Sequence, residues 1–269
     1  MRKMSAMLIF CLSAAAILSL GGCKDEPQTE LTPFELYQQA YRGLQAEDSI
    51  EYAVNSYLDM QITAPDSAPG SALDAVSLAI DGNIKQVKTD DTFADFAMDM
   101  DLKVPFVNIG ADMQMYHTDG WLYMAVPDYD IAYKLPMAVL QDDMPQQAAG
   151  EMACGPITQD MLLSSSVNSA GNTITLILDG TKLNEQMASA ADPGLSITVN
   201  DIPIDVKLDE NGDIISYIAD IDMQVKEGDI DIVMQLDVTL DIVGTGNVTI
   251  DFPDNLSNYT EISPEDFIA

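Results

Sequence analysis

Polar and apolar residues alternate with a period of two over most of the chain. That pattern predicts strands with one wet face and one dry face. It is clearest over residues 230–242, where Ile230, Ile232, Met234, Leu236, Val238, Leu240 and Ile242 are set against Asp231, Gln235, Asp237, Thr239 and Asp241. Seven apolar positions in phase predict one long antiparallel strand. Earlier segments repeat the pattern. Leu58, Met60 and Ile62 share a face, Val76, Leu78 and Ile80 another, and Phe96, Met98, Met100, Leu102 and Val104 alternate with Ala97, Asp99, Asp101 and Lys103. Ile174, Leu176 and Leu178, then Leu195, Ile197 and Val199, then Ile202, Ile204, Val206 and Leu208 continue it, with a phase slip at Asn200-Asp201 that predicts a bulge or turn. Tyr217, Ile221, Met223 and Val225 precede the long strand, and residues 247–252 read as a final strand stopped by Pro253.

Turn chemistry punctuates these strands. Asp81-Gly82-Asn83, Thr118-Asp119-Gly120, Asp209-Glu210-Asn211-Gly212-Asp213 and Glu227-Gly228-Asp229 all read as hairpin turns. Two segments carry a helical period. Residues 33–56 have Thr32 as cap, Pro33 in the first turn, and an apolar stripe of Phe34, Leu36, Tyr37, Ala40, Tyr41 and Leu44, with Gly43 and Asp48-Ser49 as places where the helix breaks or bends. Residues 181–191 read as a short helix closed by Asp192-Pro193-Gly194, while 135–150 and 157–163 read as helical or irregular. Few helices among ten or eleven strands predict a β-dominated α+β domain: a large, curved antiparallel sheet that covers its apolar face by closing toward a barrel or by laying helices across it.

The N-terminus has a different character. Arg2 and Lys3 precede an apolar run over residues 8–20, which fits a signal peptide and is too short to span a bilayer. The run ends in Leu20-Gly21-Gly22-Cys23, which resembles the lipobox of bacterial lipoproteins. The resemblance implies cleavage before Cys23 and a diacylglycerol on its thiol. The chain then divides into a signal peptide (1–22), an acidic tether (23–32) and a single domain (33–269), lipid-anchored at the cell membrane and facing away from the cytoplasm.

Charge and cysteine usage narrow the function. The net charge is −33, with 44 acidic against 11 basic residues, and losing Arg2 and Lys3 with the signal makes the mature chain more negative still. Such a chain repels phosphate backbones and anionic headgroups, which excludes nucleic acid as a partner and leaves the membrane to the lipid anchor. With 47% hydrophobic residues it is too apolar to be an acidic disordered protein. Of the three cysteines, Cys11 belongs to the signal and Cys23 to the anchor, so Cys154 has no internal disulfide partner.

Three segments carry a family likeness: MQMYHTDGWLYM (113–124), IDVKLDENGDIISYIADIDM (204–223) and VTIDFPDNLSNYTEI (248–262). They resemble uncharacterised lipoproteins of Gram-positive bacteria with a half-open barrel of the LolA and LppX type. The resemblance implies an apolar cavity between sheet and helices that binds acyl chains. LolA-type carriers are soluble shuttles, so a tethered chain is closer in habit to the LppX type.

The candidate ligand-binding residues are Met98, Met100, Met113, Met115, Trp121, Tyr123, Met223 and Met234. Methionine is flexible and polarizable, which suits surfaces that accommodate varied apolar ligands, although filling a core is its commoner use. A thioether copper site calls for methionines in exposed loops with histidine support, and strand-embedded methionines with one histidine, His117, argue against it. The 209–213 segment has glycine in the fourth place and not the sixth, so it reads as a turn and not a calcium loop. No nucleophile elbow, zincin, phosphate-loop or dinucleotide pattern occurs in the sequence, and the expectation is a non-catalytic protein without metal or cofactor beyond the diacylglycerol at Cys23. The leading expectation is binding or transfer of a hydrophobic ligand in an apolar cavity. The alternative is an envelope module with a solid core that contacts a partner protein or cell-wall material.

Overall fold

The computed structural model describes residues 31–63, 75–89, 95–104, 109–137, 157–190 and 195–263. The expected signal peptide, Cys23, residues 24–30 of the expected tether and Cys154 lie outside these residues. The helix expected over 33–56 is shorter: α1 runs Pro33–Ala46 and β1 begins at Ser49. The start is as expected, with Thr32 and Glu35 forming a reciprocal capping box and Pro33 in the first turn. The end differs because the apolar phase changes from helical to alternating after Asp48: Ile50, Tyr52, Val54, Ser56 and Leu58 are all buried on one side of β1 (Ser49–Thr63).

The strands that follow are β2 (Ala75–Val87), β3 (Asp95–Val104), β4 (Ile109–Thr118), β5 (Trp121–Val126), β6 (Ile131–Pro136), β7 (Leu162–Val167) and β8 (Thr173–Leu178). After α2 (Gly180–Ala190) come β9 (Leu195–Val199), β10 (Ile202–Leu208), β11 (Ile214–Glu227), β12 (Ile230–Thr245) and the two-residue β13 (Thr260–Glu261). They form one sheet of 13 strands in the order β13-β6-β5-β4-β3-β2-β1-β12-β11-β10-β8-β7, with β9 also on β11. Every pairing is antiparallel except β13 on β6. Among the described residues the architecture is a β-dominated, half-open curved sheet with two α-helices, the form that the sequence resemblance implied.

The registers explain how the sheet is shaped. Asp81-Gly82-Asn83 is not a hairpin but the middle of β2, where Gly82 lies between Val54 and Met100. Glycine is needed there for space: a Cβ on Gly82 would sit 2.6 Å from the Asp99 carbonyl oxygen. The phase slip at Asn200-Asp201 is a bulge. Between the pairs Val199↔Met223 and Ile204↔Ala219, the β9–β10 side uses five steps and β11 four. Asp201 accepts from the Gly180 N–H at 2.9 Å, tying the bulge to the start of α2, and Gly180 has no room for a Cβ against Val199 and Asn200. The other three expected turns are present, with left-handed Asp119 and Gly120, Gly212 and Gly228.

Residues 247–252 are not a strand. Both edges of β12 are already occupied, by β1 and β11, so the chain after Gly246 has no ladder to join there. It crosses the convex face instead, where Ile250, Phe252, Leu256 and Tyr259 pack on Ala97, Tyr116, Tyr123 and Ala125, and then pairs along β6 as β13. The main core lies on the concave side. Phe34, Tyr37, Tyr41 and Leu44 of α1 fill it against Ile174, Leu176, Val206, Tyr217, Leu240 and their neighbours. Burial pushes the Tyr37 and Tyr217 phenols far above their ordinary range and Tyr52 up to about 12.

Two outcomes follow from this packing. Gly82→Ala forces β2 and β3 apart and is expected to lower unfolding stability by about 1–3 kcal/mol, read by denaturant titration. Tyr217 is 3% exposed and its hydroxyl has no hydrogen-bond partner among the described residues. Tyr217→Phe removes a desolvated polar group at little cost in packing, so its midpoint is expected to stay or rise; a fall of more than about 1 kcal/mol would show that the hydroxyl is satisfied.

Candidate functional site

Directly opposed residues on neighbouring strands share a face, so the registers assign each candidate to one side of the sheet. The concave side carries Phe96, Met98, Met100 and Leu102 from β3, Met113, Met115 and His117 from β4, and Leu122 and Met124 from β5. It continues through Leu78, Ile80 and Ile84 of β2 to Val54, Leu58 and Met60 of β1.

Trp121 and Tyr123 are not on this surface. The two-residue turn at Asp119-Gly120 pairs Thr118 with Trp121 and Tyr116 with Tyr123, which sends both aromatics to the convex side. Tyr123 meets Tyr259 edge-on with ring centroids 5.6 Å apart, and the Lys134 ammonium lies 5.0 Å from the Trp121 ring centroid. Both lie beneath the C-terminal crossing, on the face opposite the methionine candidates. Met223 and Met234 are on the concave side but are 6% and 1% exposed in the main core. They pack the interior and present no surface to a ligand.

The remaining candidates come together. Met98, Met113 and Met115 are half-buried, as is Met124, and they belong to neither core cluster of the described residues. Met98, Met115 and Met124 stand side by side on β3, β4 and β5, and Met100 opposes Met113 one pair along. Met100 is buried at 7% and its Cγ lies 3.1 Å from where a Gly82 Cβ would sit, so it fills the space that the glycine leaves. His117 is 3% exposed and stacks on Phe96 at 5.8 Å. Met124 and Met60 were not among the sequence candidates. The turn chemistry contains the signal for Met124, because a two-residue turn at Asp119-Gly120 fixes Met115 opposite it.

Under α1 the concave surface is filled by side chains, and among the described residues no helix lies over β3–β5. A groove of about 290 Å³ near the C-terminal end of α1 is bordered by Gly43, Glu47, Asp209 and Asp213 with Leu44 and Ile214, away from the methionines. The Asp209 carboxylate there accepts from the Asn211 and Asp213 N–H groups at 2.8 and 2.9 Å, which holds its pKa below the ordinary carboxylate range. That geometry is a turn, as the sequence indicates, and no group of three or more His, Cys, Asp or Glu side chains among the described residues is arranged to hold a metal ion.

The convex face is acidic, but neutral donors interleave its carboxylates. Asn55 donates to Asp81 at 2.5 Å, Asn83 to Glu51 at 2.9 Å, Gln235 to Asp222 at 3.1 Å, and Ser77 to Asp59. Lys103 pairs with Asp101 at 2.6 Å, an exposed contact of small energetic weight. No helix of the described residues is long and apolar enough to cross a membrane.

No protein-family model matches the chain, and no curated protein matches it. Among solved structures, the crystal structure of LprF from Mycobacterium bovis aligns over 82% of this chain and 96% of that one, at 12% identity and a TM-score of 0.35. A score at that level does not establish a shared fold.

Proposed function

We propose that the protein is a non-catalytic, lipid-anchored extracytoplasmic domain that binds a hydrophobic ligand, of acyl-chain character, on the concave face of β2–β5. One observation carries the reading: Ile80, Ile84, Met98, Leu102, Met113, Met115 and Met124 form a continuous, partly exposed apolar surface that, apart from Ile84, lies outside the main core. Unsatisfied apolar area of this kind gains free energy from any apolar occupant in proportion to the area covered. Flexible thioether side chains adapt to chains of differing length better than branched ones do. The solid packing beneath α1 is what an interaction module would show throughout, and it stops short of this surface. The tether supports the same reading, since a domain held at a bilayer by Cys23 works next to a reservoir of acyl chains.

Native mass spectrometry with lipid extraction, on the intact chain purified from a bacterial host, is expected to show an acyl-chain species near unit stoichiometry. Met115→Asp buries a charge in the apolar surface and is expected to weaken binding of a fluorescent fatty acid by more than about tenfold. Trp121→Phe, on the opposite face, is expected to leave it unchanged. A clean apo mass with no response to the fatty acid overturns the reading. The anchor has its own check: Cys23→Ser is expected to move the protein from the detergent phase to the aqueous phase in phase partitioning, and retention with detergent would refute lipidation at Cys23.

A further inference from the structure

Eight methionines lie within strands among the described residues: Met60, Met98, Met100, Met113, Met115, Met124, Met223 and Met234. All eight point to the concave side, and each stands directly across from another methionine. Met98, Met115 and Met124 make one row, Met100 and Met113 a second, and Met60, Met234 and Met223 a third. An apolar core or an apolar ligand needs buried area and gains nothing from matching thioether to thioether across a ladder. Leucine or isoleucine would supply the same area with better β-propensity. A ligand that must touch two or three sulfurs at once does need that register.

We infer that the half-exposed row Met98–Met115–Met124, with Met113 on its flank, is a binding site for a soft monovalent metal cation of the Cu(I) class. Directly opposed Cβ atoms on adjacent strands lie about 5 Å apart, and the Cα–Cβ and Cβ–Cγ bonds of each methionine aim its sulfur, so that those of Met98 and Met124 can turn toward an ion above the central Met115. Thioethers are soft donors that select Cu(I) over the hard divalent ions. They are also uncharged, so an apolar setting tolerates a weakly hydrated single charge on the bound ion far better than a double one. The strongly negative chain raises the local concentration of any cation outside it. The sequence argued against such a site because its methionines are strand-embedded rather than in exposed loops and have one histidine for support; the register brings them side by side without a loop. His117 is two positions from Met115 on the same face but stacks on Phe96, and the site does not require it. The other rows serve as internal contrasts. Met100 is committed to the space above Gly82, and Met223 and Met234 are enclosed in the main core.

The inference is independent of the acyl-chain reading, and substitution by leucine separates the two because it keeps apolar area while removing sulfur. The probes are Ag(I), a redox-stable ion of the same class, and Cu(I) under reductant in competition with a chromophoric chelator. Both are titrated into the intact chain carrying methyl-13C methionine. The methyl resonances of Met98, Met115 and Met124 are expected to shift on Ag(I) addition, and those of Met223 and Met234 to stay. Met115→Leu, central in the row, is expected to weaken Ag(I) and Cu(I) binding by more than about tenfold, the least that losing even an outer-shell support commonly costs a metal site. Met223→Leu is expected to match the wild type. Circular dichroism establishes that both variants are folded. Equal affinity of Met115→Leu and wild type, or loss of affinity in Met223→Leu alone, overturns the site. Fatty-acid binding that persists in Met115→Leu while Ag(I) binding falls supports the metal site without touching the acyl-chain reading. Fatty-acid binding in a wild type that binds neither metal overturns the metal site and leaves the other reading intact.

Discussion

A sheet of this width has to dispose of a largely apolar face that runs from β8 to β5, and that constraint shapes the molecule. Side chains in register across antiparallel strands share a face, so the alternation in each strand adds to its neighbours' rather than cancelling. One element answers most of the demand: α1 lays Phe34, Tyr37, Ala40, Tyr41 and Leu44 into the concave side against β7, β8 and β11. A helix of 14 residues spans about 21 Å at 1.5 Å per residue, while strands about 4.8 Å apart make a sheet of this size more than twice as wide. The helix therefore covers one end, and the surface over β3–β5 is left to some other solution. The acidic convex face and the half-covered methionine surface are two consequences of the same alternation.

The convex side shows how the molecule tolerates its charge. Carboxylates on adjacent strands would repel if they stood in uninterrupted rows, and Asp220 does stand opposite Asp237, as Asp101 does opposite Asp81 and Asp112. Elsewhere the position across from an acid carries an amide or hydroxyl that donates to it, as Asn55 does to Asp81, Ser77 to Asp59 and Gln235 to Asp222. A neutral donor screens a carboxylate without the side-chain entropy that pinning a lysine costs. Only where the acids thin out, over Ala97, Tyr116, Tyr123 and Ala125, does the convex face become apolar, and there the C-terminal segment crosses it.

Much of this was legible in the alternating pattern; the overlong first helix missed a local change of period after Asp48, and most other failures share a cause. The β-dominated curved sheet, the start of α1, α2, the bulge at Asn200-Asp201 and three of four turns follow from local chemistry. Most of the remaining misreadings concern what a residue meets across the ladder. Asp81-Gly82-Asn83 has the composition of a turn, but Gly82 exists to let Asp99 and Met100 approach. Residues 247–252 have the alternation of a strand, but both edges of β12 are taken. Trp121 and Tyr123 stand next to methionines in sequence and on the opposite face in space. Strand identity is a local property; pairing and edge availability belong to the whole sheet, and a single sequence does not contain them directly.

The methionine register is the extreme case of such a property, since no row of it spans fewer than two strands and two rows span three. Met60 lies far in the chain from Met223 and Met234, yet the three meet because β1, β12 and β11 are adjacent. Packing alone would accept leucine at each place, and leucine loses less conformational freedom on burial than methionine does. Flexibility is a cost where a side chain only fills space and an advantage where it must rearrange around something that arrives later. Along Met98, Met115 and Met124 the side chains are themselves partly exposed, so the rearrangement has room to occur. In the enclosed row the same residue type is held by Leu236, Val199 and Ile221, and the chemistry of sulfur is out of reach. Exposure, more than residue type, therefore separates the row that can act from the row that supports it.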